Sequence, residues 1–321
     1  QIDALILSPG IPLYHPEPHG VAKLAQQSGC ETIGDIEILG RVEQDSRFIG
    51  ITGTNGKSTT TALIGHVLDA SGYSIEVGGN LGKPSLDMKS LGKDGVYVLE
   101  MSSYQIDLTP SLAFDAAILL NITPDHLERH GGMDGYVKAK KAIFANQGPT
   151  HTAVIGVDTE PSHEIYAALQ KSRNQTVVPI SGNTPVSGGV FVENGILIDD
   201  SYYRREPIMD LRDVVTLTGE HNWQNAAASF ATFRAIGLEV DEIVSGMGTY
   251  PGLSHRQEIV KTIDGVLFVN DSKATNPDAA ARALASYTNI YWIAGGQSKE
   301  GGFDQLLPYL KNVHHAYLVG D

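Results

Sequence analysis

Gly53-Thr54-Asn55-Gly56-Lys57-Ser58-Thr59 holds residue types that can bind phosphate. Backbone N–H groups in a glycine-bounded turn point at an anion, and the dipole of a following helix favours negative charge. Lys57 adds a point charge, and the Ser58 hydroxyl suits a Mg²⁺ ion. The strict phosphate-loop spacing, G-x-x-x-x-G-K-[ST], fails because Ile51 stands five residues before Gly56. The shorter G-x-x-G-K-S remains. The plainer reading is a glycine-rich strand-to-helix turn with a surface lysine. The apolar run Phe48-Ile49-Gly50-Ile51 before the turn and the helical pattern after it favour nucleotide binding.

Other chemistry-bearing residues also follow apolar runs. Glu100 closes Val96-Tyr97-Val98-Leu99, where it would either cap the next turn or hold Mg²⁺ and orient water. Asn80 and the pair Asp125-His126 lie just past strand-like segments. Ligands of open α/β sheets sit off the carboxyl ends of the strands, so these groups would share one rim with the phosphate loop. Lys138, Lys140 and Lys141 lie on one helical stretch, and spacing alone does not separate them from a solvated basic face. Asn270-Asp271-Ser272-Lys273-Ala274-Thr275-Asn276 precedes Pro277. This turn would grip ribose or phosphate, or merely cap a helix. Arg256 would hold a phosphate bidentately or serve as a linker arginine. Ser8-Pro9-Gly10-Ile11-Pro12 reads by itself as an ordinary loop.

The elements that must position these residues alternate between strand and helix, an α/β pattern with a mostly parallel sheet. Expected strands are Ala4–Leu7, Ile36–Leu39, Phe48–Ile51, Ser74–Val77, Val96–Glu100, Ala116–Asn121, Thr152–Val157 and Thr176–Ile180. Hairpins are expected around Asn194-Gly195 and Asp264-Gly265. Helices are expected over Val21–Gln27, from Lys57 to Gly72, and over Tyr136–Ala145, Asn222–Ile236 and Pro277–Ser286. A strand over Asn289–Ala294 and a helix near Gln305–Leu310 complete the pattern. A boundary falls near Tyr250-Pro251-Gly252-Leu253.

The 321 residues fit about two or three domains. A formal net charge of −14 argues against general nucleic-acid binding but leaves room for a local pocket for a phosphorylated ligand. The single cysteine, Cys30, excludes an internal disulfide framework and suggests a reducing, cytoplasmic location. No apolar run reaches the length of a membrane span, and no basic-then-apolar signal-peptide pattern is seen in these residues. Gln1 leads directly into a strand-like run, and Tyr317-Leu318-Val319 ends the chain in another. The sequence therefore reads as a fragment cut at both ends.

Together these blocks resemble the Mur ligase family of peptidoglycan synthesis. They are Gly53–Thr59, Glu100-Met101-Ser102-Ser103-Tyr104-Gln105, Asn121–Leu127, Glu220-His221-Asn222-Trp223-Gln224-Asn225 and His255-Arg256. Ser8–Pro12 and Asn270–Asn276 look like the family's D-glutamate-adding branch. The resemblance implies three domains: residues 1–40 as a remnant of a UDP-binding domain, 41–252 as a central ATPase, and 253–321 as the first part of an amino-acid-binding domain. The flanking domains would be partial and Rossmann-like.

The resemblance further implies an acid–D-amino-acid ligase. ATP would activate the carboxylate of UDP-N-acetylmuramoyl-L-alanine as an acyl phosphate, which the amine of D-glutamate attacks. It assigns Gly53, Thr54, Asn55, Gly56, Lys57, Ser58, Thr59, Asn222, Asn225, Arg256, Asp271, Lys273 and Thr275 to ATP. Two Mg²⁺ sites would use Ser58, Glu100, His126 and a carbamylated Lys140. Ser8, Gly10, Asn80, Ser102 and His126 would meet the muramoyl substrate, and Lys299 the D-glutamate carboxylate. Lys57, Glu100, His126 and Lys140 would be catalytic. The fragment itself is expected to be inactive. The competing readings are another amide ligase of the Mur and folylpolyglutamate synthase group, or a nucleotide-binding fragment.

Overall fold

A computed structural model describes residues 2–217, 219–296 and 304–319. The chain opens with β1 (Ala4–Ile6), α1 (Gly20–Ser28), β2 (Glu31–Ile33) and α2 (Asp35–Val42), β1 and β2 being parallel. Ile36–Leu39, expected as a strand, is the body of α2. Four residues of mixed character do not distinguish the two periods. What decides is that Ile36 and Leu39 share one buried face. Asp35 and Glu37 sit in the positive first turn, and Glu37 pairs with Arg41 one turn later at 2.8 Å.

Nine strands then build one sheet. They are β3 (Arg47–Thr52), β4 (Ser74–Gly79), β5 (Gly95–Glu100), β6 (Ala116–Leu119), β7 (Thr152–Gly156), β8 (Thr176–Ser181), β9 (Val190–Glu193), β10 (Ile196–Asp199) and β11 (Glu206–Asp210). Their order is β11-β10-β9-β8-β7-β6-β3-β5-β4. Pairing is parallel from β4 through to β9 and antiparallel for β9–β10 and β10–β11. Asn194 and Gly195 both take positive φ between β9 and β10, as a tight hairpin turn requires.

The helices that cover the sheet are α3 (Lys57–Ala70), α4 (Ser103–Asp107), α5 (Met133–Lys141), α6 (Glu160–Ser172), α7 (Glu220–Ala235) and α8 (Val240–Gly248). Central strands are buried on both sides, so they read as continuous apolar runs, yet alternate residues still feed different faces. Ile49, Ile51, Val96 and Val98 pack with Leu63 and Val67 of α3, Phe230 and Phe233 of α7, and Met247 of α8. Phe48, Tyr97 and Leu99 pack on the opposite side with Ile36 of α2, Tyr136 of α5 and Ile165 of α6.

Beyond α8 lie the hairpin β12 (Glu258–Ile263) and β13 (Val266–Asn270), then α9 (Pro277–Ser286) and β14 (Ile290–Gly295). β14 is parallel to β15 (Val313–Val319), and a 3-10 segment over Asp304–Asn312 precedes β15. The sequence reading did not anticipate β2, β11, α4, α6 or α8.

Candidate active site

β3 lies between β5 and β6, all three parallel, so their carboxyl ends form one rim. Ile51 pairs with Glu100, and Thr52 with Leu119. The phosphate loop after β3 is thus flanked by Glu100 on one side and by the Asn121–His126 segment on the other. Gly53 and Gly56 have φ of 152° and 89°, which favour glycine. Thr54 N–H donates to the Asn121 carbonyl at 2.9 Å, and Thr54 Oγ1 donates to the Thr123 carbonyl at 3.0 Å. Asn55 N–H donates to Asn121 Oδ1 at 2.9 Å. Ser58 and Thr59 occupy the first turn of α3, Ser58 half-buried and Thr59 buried.

Two lysines converge on this loop. Lys57 Nζ donates to the Gly53 and Thr54 carbonyls at 2.9 Å each. Burial lowers its pKa, while Glu100 and Asp125 act in the opposite direction. Lys140 Nζ donates to the Gly53 carbonyl at 2.8 Å and lies 4.7 Å from the centre of the Tyr136 ring. Lys140 is 2% exposed, whereas Lys138 and Lys141 are exposed. Tertiary burial therefore separates three lysines that spacing left equivalent. Desolvation first, and the Lys57 charge second, hold the Lys140 amine well below its usual pKa.

Glu100 is buried, with one oxygen held by Asn80 Nδ2 at 2.8 Å. Its other oxygen, Oε2, is buried and accepts no hydrogen bond. A desolvated carboxylate oxygen without a donor is the environment a cation completes. The Ser58 hydroxyl, in the first turn of α3 after the loop, is likewise a hard oxygen, so the donor types fit Mg²⁺. Among the described residues no three His, Cys, Asp or Glu side chains converge as a metal cluster. Mg²⁺ commonly uses one or two protein oxygens and takes the rest from phosphates and water, so the sparse donor set agrees with it.

His126 is exposed, with φ 52°, and its Nε2 lies 3.5 Å from Asp125 Oδ2. Ser102 caps α4 in a reciprocal pair with Gln105. Ser8 and Gly10 are exposed on the N-terminal unit, and Ile11 N–H closes their turn onto the Ser8 carbonyl at 2.9 Å. Lys299 lies outside the described residues.

Asn55, Gly56, Thr59, Asn222 and Asn225 meet Arg256 and Asp271 across a cleft with about 20 Å³ of free volume. Asn225 Oδ1 and Arg256 Nε are buried without hydrogen bonds, which leaves an acceptor and a donor for a polar ligand. Burial raises the Asp271 pKa, with the Gln257 N–H and Arg256 opposing it. Lys273 and Thr275 lie on the following turn, outside the cleft lining, and Lys273 N–H donates to the His255 carbonyl at 2.9 Å.

The sequence reading gave no role to Gln257 and Arg282, which also line the cleft. It also passed over Asn121, Gln224 and Asp158. Asn121 Nδ2 donates to Gln224 Oε1 at 2.9 Å, and Gln224 Nε2 donates to Asp158 Oδ2 at 2.7 Å. Asn121 and Gln224 stand inside blocks already singled out, but hydrogen bonding across 103 residues has no local signal.

Residues 51–233 match the family model for the Mur ligase middle domain, and residues 255–321 match that for the Mur ligase, glutamate ligase domain. The chain belongs to the Mur ligase family. A UDP-N-acetylmuramoylalanine–D-glutamate ligase of Rhodospirillum rubrum is 51% identical over 319 residues, covering 99% of this chain and 67% of that protein. One of the same name from Caulobacter vibrioides is 48% identical over 327 residues, covering 100% of this chain and 69% of that protein. Among solved structures, MurF from Acinetobacter baumannii aligns with a TM-score of 0.64 at 19% identity, over 88% of this chain and 69% of that one. MurC from Thermotoga maritima aligns with a TM-score of 0.63 at 18% identity, over 94% of this chain and 74% of that one. These structural likenesses establish the Mur ligase fold, an α/β architecture around a large, mostly parallel sheet. The protein is accordingly an ATP-dependent amide ligase of peptidoglycan synthesis. Among the described residues no helix is long and apolar enough to cross a membrane.

Proposed function

We propose that this protein joins D-glutamate to UDP-N-acetylmuramoyl-L-alanine in the cytoplasm, driven by ATP. The observation that carries the reading is the likeness, over essentially the whole chain, to relatives named for that ligation, at 51% and 48% identity. Residues 1–40, 41–252 and 253–321 are read as the UDP-substrate, ATPase and amino-acid units.

The reaction has two steps. A carboxylate oxygen of the alanyl group attacks the γ-phosphorus of ATP, giving an acyl phosphate and releasing ADP. The D-glutamate amine then attacks the acyl carbon. The tetrahedral species collapses, expels phosphate and leaves an amide, with one proton passing to solvent or base. Lys57, the loop N–H groups and the N-terminus of α3 counter the charge on the phosphates. Glu100 and Ser58 would hold one Mg²⁺, and His126 with a carbamylated Lys140 a second. When bound, the ions supply Lewis-acid neutralisation of the phosphate oxygens. A neutral amine is the form that adds CO₂, and burial shifts Lys140 toward that form. Asn222, Asn225, Arg256 and Asp271 close the nucleotide between two units, with Lys273 and Thr275 on the adjoining turn. Ser8, Gly10, Asn80, Ser102 and His126 meet the muramoyl substrate, and Lys299 the incoming carboxylate.

The test is phosphate release with the three substrates, D-glutamate being exchanged in turn for L-alanine, L-lysine and diaminopimelate. Release should require D-glutamate and UDP-N-acetylmuramoyl-L-alanine together. Equal stimulation by another amino acid would assign the chain to a different branch of the family.

A further inference from the structure

Arg129 joins two segments that lie far apart in the sequence. Its Nη1 donates to the Gly10 carbonyl at 2.9 Å, and its Nη2 to the Pro9 carbonyl at 3.3 Å, across 119 and 120 residues. The guanidinium also lies 4.7 Å from the centre of the Tyr104 ring. Tyr104 in turn stacks on His130 at 5.4 Å and tilts against His126 at 5.6 Å. A second contact lies alongside: a β-carbon on Gly131 would come within 2.8 Å of the His15 ring. The Ser8–Ile11 turn is therefore clamped to the His126 rim by a planar fork whose own face is fixed by an aromatic ring.

We propose that Arg129 is a positioning residue for the UDP-linked substrate. A trans peptide whose carbonyl faces the guanidinium turns the next N–H the opposite way. Holding the Pro9 carbonyl therefore aims the Gly10 N–H away from Arg129, as a donor to an acidic oxygen of that substrate. The same clamp sets the spacing between the N-terminal turn and the ATPase rim, the two places that grip one long ligand. The inference rests on the ligase reading above. A lysine in place of Arg129 would keep the charge but could not hold both carbonyls in one plane.

The experiment is steady-state kinetics of the full chain and of Arg129→Lys and Arg129→Ala, with calorimetric binding of UDP-N-acetylmuramoyl-L-alanine alone. Arg129→Ala should raise the KM and Kd for this substrate about tenfold, while kcat and the KM values for ATP and D-glutamate stay within about twofold. Arg129→Lys should recover only part of the loss. An unchanged KM and Kd in either variant overturns the proposal. So does a parallel rise in the KM for ATP, which marks a general structural role. If Arg129→Ala does not fold, Arg129→Lys decides. If the unsubstituted chain does not turn over, as expected of a fragment, the binding comparison alone decides the role of Arg129, and failure of the unsubstituted chain to bind UDP-N-acetylmuramoyl-L-alanine counts against the ligase reading.

Discussion

Asn121 holds Asn55 by both of its backbone polar groups. Its Oδ1 accepts from the Asn55 N–H at 2.9 Å, and its Nδ2 donates to the Asn55 carbonyl at 3.2 Å. Because Gln224 and Asp158 fix the amide of Asn121 in turn, the shape of the phosphate loop is set from the neighbouring strand end. Asn121→Ala removes hydrogen bonds to the Asn55 N–H, the Asn55 carbonyl and Gln224 Oε1, and a buried group that loses its partner costs about 1–3 kcal/mol. ATP affinity measured calorimetrically should fall by about tenfold or more, and the urea midpoint should drop with it. Unchanged ATP affinity would show that the loop keeps its shape without this clasp.

Gly56 is required on two counts. Its φ is 89°, and an added β-carbon would collide with Asn225 Oδ1. Gly56→Ala should therefore lower stability by about 1–3 kcal/mol and abolish measurable ATP binding. Adding Asn225→Ala removes the collision but not the backbone strain. The double variant should regain part of the stability of the single one in thermal melts. Equal melting of the two would mean that strain, not contact, governs the site.

Lys140 is the buried lysine of its helix, and its proposed carbamate predicts a specific rescue. Lys140→Ala should abolish phosphate release, and a short-chain carboxylate should restore part of it. Full activity in Lys140→Ala would remove Lys140 from the metal site. Lys138→Ala and Lys141→Ala, on exposed positions, should leave turnover within about twofold.

Asp107 gives stability a predictable pH dependence. Burial pushes its carboxyl up to about 6, with Lys138 opposing. The folded state then binds the proton more tightly than the unfolded state, so stability is lost as pH rises from the ordinary carboxylate range through 6. His130, 4.0 Å from Asp107 Oδ2, is lowered to about 4, chiefly by burial. Its neutral form is favoured in the fold, and it loses stability as pH falls from 6.5 toward 4. Asp107→Asn removes only the first effect. It should match the unsubstituted protein near pH 4 and exceed it by on the order of 1–2 kcal/mol at pH 7 in denaturant titrations. A difference independent of pH would show that Asp107 does not titrate in this window.

The sequence by itself determined the local features. An apolar run, two glycines and Lys57-Ser58 define β3, the phosphate loop and the start of α3. Asn194-Gly195 and Asp264-Gly265 define two hairpins, and Glu100 ending an apolar run marks a strand end at a rim. Each signal lies within a few residues, where backbone preference and side-chain period act directly. Ile36–Leu39 fell short because four residues carry too little of either period. Only the tertiary structure decided which lysine is buried, that Asn121 clasps Asn55, that Arg129 reaches Gly10, and that Arg256 faces Asn225 across a cleft. Those relationships depend on strand order and on which face of a helix meets the sheet. The groups involved are brought together by burial of apolar surface elsewhere in the chain, so no spacing within the sequence records them.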